Sequence, residues 1–269
     1  MRDLEQICGL PIALDGEQLD FGAGIVVEEH GIRLLEALEP VVLEPEHCRG
    51  IREAAYVMDN GVYRKTDADR LQDVPMRYEL TLIPPRQIGR EYIKTFGHRH
   101  HPEPRSGIDY AEVCEVLVGK AHFIFQTLDL SGPSAPSAFC IEATAGQKVV
   151  FPPGFDHCTI NPGPEPVLFS DVIARGVSGD YSRFTATRGA AYLEVEEQGA
   201  PAFIPNPTYE RVAPLQEITP VEYPHLRLTD EEPLYTAFVG TRGELWHFLT
   251  DPRLFWSTFP DLKDAFSAA

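Results

Sequence analysis

Apolar and polar positions alternate along much of the middle of this chain. Tyr78–Ile83, Arg90–Thr95, Val113–Val118, His122–Leu128, Ala138–Ala143, Lys148–Phe151 and Val167–Ile173 are short β-branched or aromatic runs separated by Pro and Gly. Short strands at such regular spacing predict an antiparallel sandwich or barrel. Ser131–Ser137 reads as a turn between two of them. The flanks follow other periods. Ile51, Ala54, Ala55 and Met58 recur at helical spacing after Pro45 and Glu46 and stop at Asn60-Gly61, which predicts an amphipathic helix near 46–58. Arg33–Leu38 has room for a helical turn or two before Pro40. After Gly199 six prolines, from Pro201 to Pro224, predict an extended arm across a surface. Leu234–Val239 and Glu244–Leu249 read as a hairpin across Gly240–Gly243, and Leu254–Phe266 has helical spacing. The expected organisation is an N-terminal flank over 1–75, a barrel over 76–195, and a Pro-rich arm and C-terminal extension over 196–269.

Composition narrows the class. With 43% hydrophobic and 24% charged residues the chain is globular rather than disordered, and no apolar run approaches the length of a bilayer span. Met1-Arg2-Asp3-Leu4-Glu5 lacks the basic start and apolar core of a signal peptide, so a cytoplasmic location is the expectation. A net charge of −18 argues against a nucleic-acid surface but leaves room for a small phosphorylated ligand held locally by hydroxyls, backbone N–H groups and a cation or two. The five cysteines form no C-x-x-C pair and read as reduced thiols.

The chemistry gathers around Gly97-His98-Arg99-His100, then Glu112, then Pro152-Pro153-Gly154-Phe155-Asp156-His157. In a strand, His98 and His100 share a face, so both reach one ion, whereas His101 points away. Three imidazoles and a carboxylate form a plausible set for a divalent metal with open positions, and affinity order alone does not choose among iron, manganese, nickel, cobalt and zinc. Glu115 falls outside this set, His122 is expected to face solvent, and Cys158 is expected to be a buried, inert thiol.

Two patterns can be read letter by letter. Gly146-x5-Pro152-x-Gly154-x2-His157-x3-Asn161 resembles the second motif of the cupins, and Glu112-x6-Gly119 resembles part of the first. Pro85-x3-Gly89-x-Glu91-x3-Thr95-x-Gly97-His98-x-His100, then Glu112-x-Cys114-x2-Leu117-x-Gly119, resembles the cupin-type, archaeal-type glucose-6-phosphate isomerases, with Cys114 where that family usually has tyrosine. The resemblance covers roughly 75–185 and implies an all-β fold: a double-stranded β-helix or jelly-roll barrel with a helix-containing N-terminal flank and a C-terminal extension.

It also implies an activity. A cytoplasmic, homodimeric isomerase of glycolysis and gluconeogenesis would interconvert glucose 6-phosphate and fructose 6-phosphate. It would use one divalent metal per subunit, iron first and manganese, nickel, cobalt or zinc as alternatives, held by His98, His100, Glu112 and His157. Glu112 would also be the proton carrier between C1 and C2, unless a metal-assisted hydride shift replaces it. Thr81, Thr95 and Gly97 match positions that bind the substrate phosphate, and Tyr181 and Gln126 match other substrate contacts. A second pocket tyrosine falls on Ile173 and a histidine on Gly179, and Asn161 is expected to brace its turn. No nucleic acid or membrane partner is implied. The competing classes are a metal-dependent cupin dioxygenase and a non-catalytic sugar-phosphate-binding cupin.

Overall fold

The computed structural model describes residues 1–129 and 132–267. The barrel and its edges are built from β1 (Ile25–Leu34), β2 (Ala54–Arg64), β3 (Met76–Ile83), β4 (Glu112–Val118), β5 (Lys120–Asp129), β6 (Ser134–Thr144), β7 (Lys148–Phe151), β8 (Asp156–Ile160), β9 (Val167–Ala174) and β10 (Leu215–Ile218). One sheet runs β7-β4-β9-β3-β2-β1, antiparallel throughout. The other is built on β8-β5-β6, and residues 94–98 lie beside β8 through bridges from Lys94 to Ile160 and from His98 to His157. Two facing sheets between which the chain crosses after β4, β6, β7, β8 and β9 make a jelly roll, the barrel of the cupins.

The core is continuous between the sheets. Strands β4 and β9 are buried along their whole length, their polar members Glu112, Glu115, Ser170 and Asp171 included. Phe123 and Phe125 pack edge-on against Phe151 with centroids 5.4 and 4.8 Å apart, a favourable aromatic geometry.

Three expectations fail, each for a tertiary reason, and a fourth is narrowed. Residues 46–58 hold no α-helix: Pro45–His47 is a single 3-10 turn, and β2 pairs with both β1 and β3. Asn60-Gly61 is no helix stop but lies inside that strand. The barrel sheet therefore recruits two strands from the N-terminal flank. Leu234–Thr241 is a helix, α1, rather than half of a hairpin, with Leu234, Tyr235, Ala237, Phe238 and Val239 buried. The turn predicted over 131–137 is present at Gly132 and Pro133, residues 134–137 begin β6, and Ser131 lies outside the described residues.

The Pro-rich arm lies on the barrel. Its strand β10 pairs in parallel with β6, from Ala138–Leu215 to Ile141–Ile218. Helix α2 (Pro260–Ser267) then brings Phe266 against Phe139, Phe155 and Phe125, with ring centroids 4.8, 4.9 and 5.7 Å away, closing one end of the barrel. Among the described residues no helix is long and apolar enough to cross a membrane.

Candidate active site

His98 and His157 face each other because their backbones are hydrogen-bonded in both directions, at 3.0 and 2.9 Å. His100 follows two residues later on the same face. The ring centroids of the three imidazoles are 4.5, 4.7 and 5.1 Å apart, and each ring offers a nitrogen within 4.8 Å of those of the others. This is the convergence that the H-x-H spacing and the distant His157 predict.

Backbone carbonyls hold two of the rings. His100 Nδ1 lies 3.0 Å from the Tyr110 carbonyl, and His157 Nδ1 lies 3.4 Å from that of Phe155. In His157, donating Nδ1–H to this oxygen leaves Nε2 with a free lone pair. His157 Nε2 is buried and has no hydrogen-bond partner among the described residues, an expensive condition for a polar atom unless a ligand takes it up. Burial, then the charge of the neighbouring imidazoles, pushes the pKa of His157 well below its ordinary value. Burial together with His100 and Arg33 pushes that of His98 down to about 3. His98 and His157 are thus kept neutral, as metal ligands must be, and with His100 converging on the same point the trio fits a divalent ion.

Glu112 stands just outside the trio. Its Oε2 is 3.2 Å from His100 Nε2, and its Oε1 accepts a hydrogen bond from Cys114 Sγ at 2.8 Å. Burial alone would lower the pKa of His100, but the hydrogen bond and charge of Glu112 more than reverse this and raise it. The expected four-ligand set is thus three convergent imidazoles with a carboxylate braced against one of them.

A cavity of about 420 Å³ opens over these groups. Thr81, Thr95, Tyr181, Ile173 and Gly179 line it. Thr95 Oγ1 already accepts from the Thr159 N–H at 3.0 Å, which leaves its O–H proton available to a ligand. Gly97 has φ +81°, and a Cβ there would meet the Phe184 ring at 2.6 Å, so that turn admits only glycine. A larger groove of about 640 Å³ lies on the opposite face of β1 and β2, beside His30 and Asp59, away from the imidazole trio.

Two expected contacts sit elsewhere. Gln126 is fully buried but does not line the cavity. Strand alternation turns it away from the face of Phe125, the register partner of His157. Its amide is spent on the Ala191 N–H and the Tyr209 hydroxyl. His122 is buried rather than solvent-facing, with Nδ1 2.9 Å from Glu194 and Nε2 2.9 Å from Glu142. Cys158 is a buried thiol pushed up to about 12 by burial, and Asn161 braces its turn through Ile83, Glu165 and Gly163.

The cavity also holds groups that the motifs do not name. Arg77 and Glu79 form an ion pair on the same face of β3 as Thr81, and Asp171 is the register partner of Glu79. Burial raises the pKa values of both carboxyls, that of Glu79 to about 7. The period-two spacing of Arg77, Glu79 and Thr81 was the available signal.

A family model described as "Glucose-6-phosphate isomerase (GPI)" matches residues 33–204. The chain is 29% identical over 195 residues to the glucose-6-phosphate isomerase of Thermococcus litoralis, spanning 72% of this chain and 95% of that one. It is 26% identical over 197 residues to the glucose-6-phosphate isomerase of Pyrococcus furiosus, spanning 73% and 97%. Among solved structures, oxalate oxidase with the substrate analogue glycolate superposes with a TM-score of 0.31 at 14% identity, over 44% of this chain and 50% of that one. The strand order, not this loose overlay, defines the fold.

Proposed function

The chain belongs to the glucose-6-phosphate isomerase (GPI) family and is accordingly an enzyme of sugar-phosphate isomerisation; on that premise we propose that it interconverts glucose 6-phosphate and fructose 6-phosphate with the help of one divalent metal. The observation that carries the metal dependence is the convergence of three imidazoles, one with a buried and unpartnered Nε2, at the floor of a cavity lined with threonines. His98, His100 and His157 would hold the ion, with Glu112 as the nearby carboxylate. When bound, such an ion supplies Lewis-acid stabilisation of the negative charge that develops on O1 and O2. Iron, manganese, nickel, cobalt and zinc are all compatible with these donors.

The protein's own groups do the rest. Glu112 is the carboxylate placed to carry the proton between C1 and C2. The Cys114 thiol holds one of its oxygens, and His100 lies against the other. Thr81 and Thr95 offer hydroxyls to the phosphate, Gly97 lets the backbone approach closely, and Tyr181 closes the side of the pocket. A homodimer in the cytoplasm belongs to the same reading.

The test is a coupled assay of fructose 6-phosphate conversion after chelation and after adding back each metal singly. Metal-restored turnover that disappears in His98→Ala and His157→Ala is the expected result. Full activity in protein stripped of metal would overturn the metal dependence. Bound metal without turnover on either sugar phosphate would instead favour an oxygenase or a binding protein.

A further inference from the structure

The cavity that is to receive a phosphate dianion is lined by Glu29, Glu79, Glu112 and Asp171, and the one arginine in its lining among the described residues, Arg77, is committed to Glu79. A dianion entering such a site needs an uncommitted cation. Arg33 is in position to be one. It is the register partner of Tyr56 near the end of β1, and the pairs Arg33–Tyr56, Gly31–Met58 and Glu29–Asn60 share a face. Tyr56, Met58, Glu29 and Asn60 from that face line the cavity.

The guanidinium is held but not neutralised. Its central carbon lies 5.4 Å from the Tyr181 ring centroid and 5.7 Å from that of Phe96, cation–π distances for both. Those two rings meet edge to face at 5.3 Å. No carboxylate pairs with Arg33 among the described residues, and its Nε is buried without a hydrogen-bond partner. The rings fix the position of the fork, and the Tyr56 hydroxyl, an acceptor beside it, is neutral and leaves its charge uncompensated; a planar fork of this kind matches phosphate oxygens two at a time. Tyr181 links the guanidinium to the imidazoles, since its ring is also 5.5 Å from that of His98.

Building on the isomerase reading, we infer that Arg33 is the cation that recognises the substrate's phosphate group, seated between Phe96 and Tyr181 and joined through Tyr181 to the imidazole trio. The experiment is steady-state kinetics of the metal-loaded protein with fructose 6-phosphate, and inhibition by inorganic phosphate, for the unaltered chain, Arg33→Ala and Arg33→Lys. Loss of a hydrogen-bonded charge predicts a KM raised roughly ten- to a hundredfold in Arg33→Ala, a smaller change in kcat, and phosphate inhibition weakened by a similar factor. Arg33→Lys, which keeps the charge and loses the fork, should recover part of both. Metal content should stay unchanged. An unaltered KM and phosphate inhibition in Arg33→Ala would overturn the inference, and so would a fall in kcat alone. If Arg33→Ala does not fold, Arg33→Lys indistinguishable from the unaltered chain in both readouts would overturn it as well. Should the unaltered chain fail to turn over fructose 6-phosphate, the isomerase reading falls separately. Calorimetric titration of inorganic phosphate into the same proteins then still decides Arg33, with weaker binding in Arg33→Ala supporting it and equal binding refuting it.

Discussion

The Cys114 thiol donates to Glu112 Oε1 across 2.8 Å, because the two residues alternate onto the same face of β4. Burial, reinforced by the charge of Glu112, pushes the Cys114 thiol well above its ordinary pKa and keeps it a donor. Cys114→Ser should preserve the contact and most of kcat. Cys114→Ala should lower kcat by roughly tenfold, the value of one hydrogen bond to a charged group, with metal content unchanged. Equal kcat in the two variants would show that the thiol does not orient the carboxylate.

Gly179 is the register partner of His100, and a Cβ added there would sit 2.7 Å from ring atoms of His98. Even alanine must therefore displace that imidazole. Gly179→Ala should weaken metal binding by about 10–100-fold, the range for disturbing the support of a ligand, and leave the far-ultraviolet circular dichroism unchanged. Chelator competition measures it, and an unchanged affinity would mean that the ring yields freely.

Glu115 and Lys148 form an ion pair of 2.7 Å with side chains only 1% and 2% exposed, and Glu115 Oε2 also accepts the first N–H of α1, from Leu234. Glu115→Leu strands a buried ammonium and frees the end of that helix. The expected cost is about 3–5 kcal/mol in denaturant unfolding, and a second change, Lys148→Met, should recover much of it. Failure of the double variant to regain stability would place the cost in the lost helix contact.

His122 yields a pH dependence. Burial lowers its pKa, but the hydrogen bond and charge of Glu194, helped by Glu142, outweigh burial and raise it above the ordinary 6.5. A pKa raised on folding means that the protonated form favours the folded state. The stabilisation is complete below pH 6.5 and lost as the pH rises through the folded value. The melting temperature of the unaltered chain minus that of His122→Gln should therefore fall from acid to mildly alkaline solution. A difference that stays flat or rises would show that His122 folds neutral.

The fold was legible where neighbours in sequence are also neighbours in space. The barrel strands β3, β4 and β9 carry their pattern locally, and His98, His100 and His157 declared themselves by spacing. Residues 54–64 misled because Ala54, Ala55 and Met58 fit the helical period, whereas the deciding partners, β1 and β3, lie some way off in the chain. Leu234–Thr241 misled in the other direction. Its aromatic and β-branched composition suits a strand, yet Glu115 meets its first N–H, and the Tyr235 hydroxyl donates to Asp67 at 2.6 Å. Gln126 matched its motif but landed on the wrong face, and Arg33 had no motif to announce it. The cross-strand row that brings Arg33 beside Tyr56 exists only once β1 and β2 have paired.

Phe266 fills the space between Phe125, Phe139 and Phe155 at one end of the barrel. During synthesis all strands of the barrel leave the ribosome well before that ring does. At ordinary translation speeds of about 5–20 residues per second the nascent barrel spends several seconds with three aromatic side chains facing water. The nascent barrel is thus open to association through these rings until helix α2 emerges, and a ribosome stalled over the Pro-rich arm prolongs that interval.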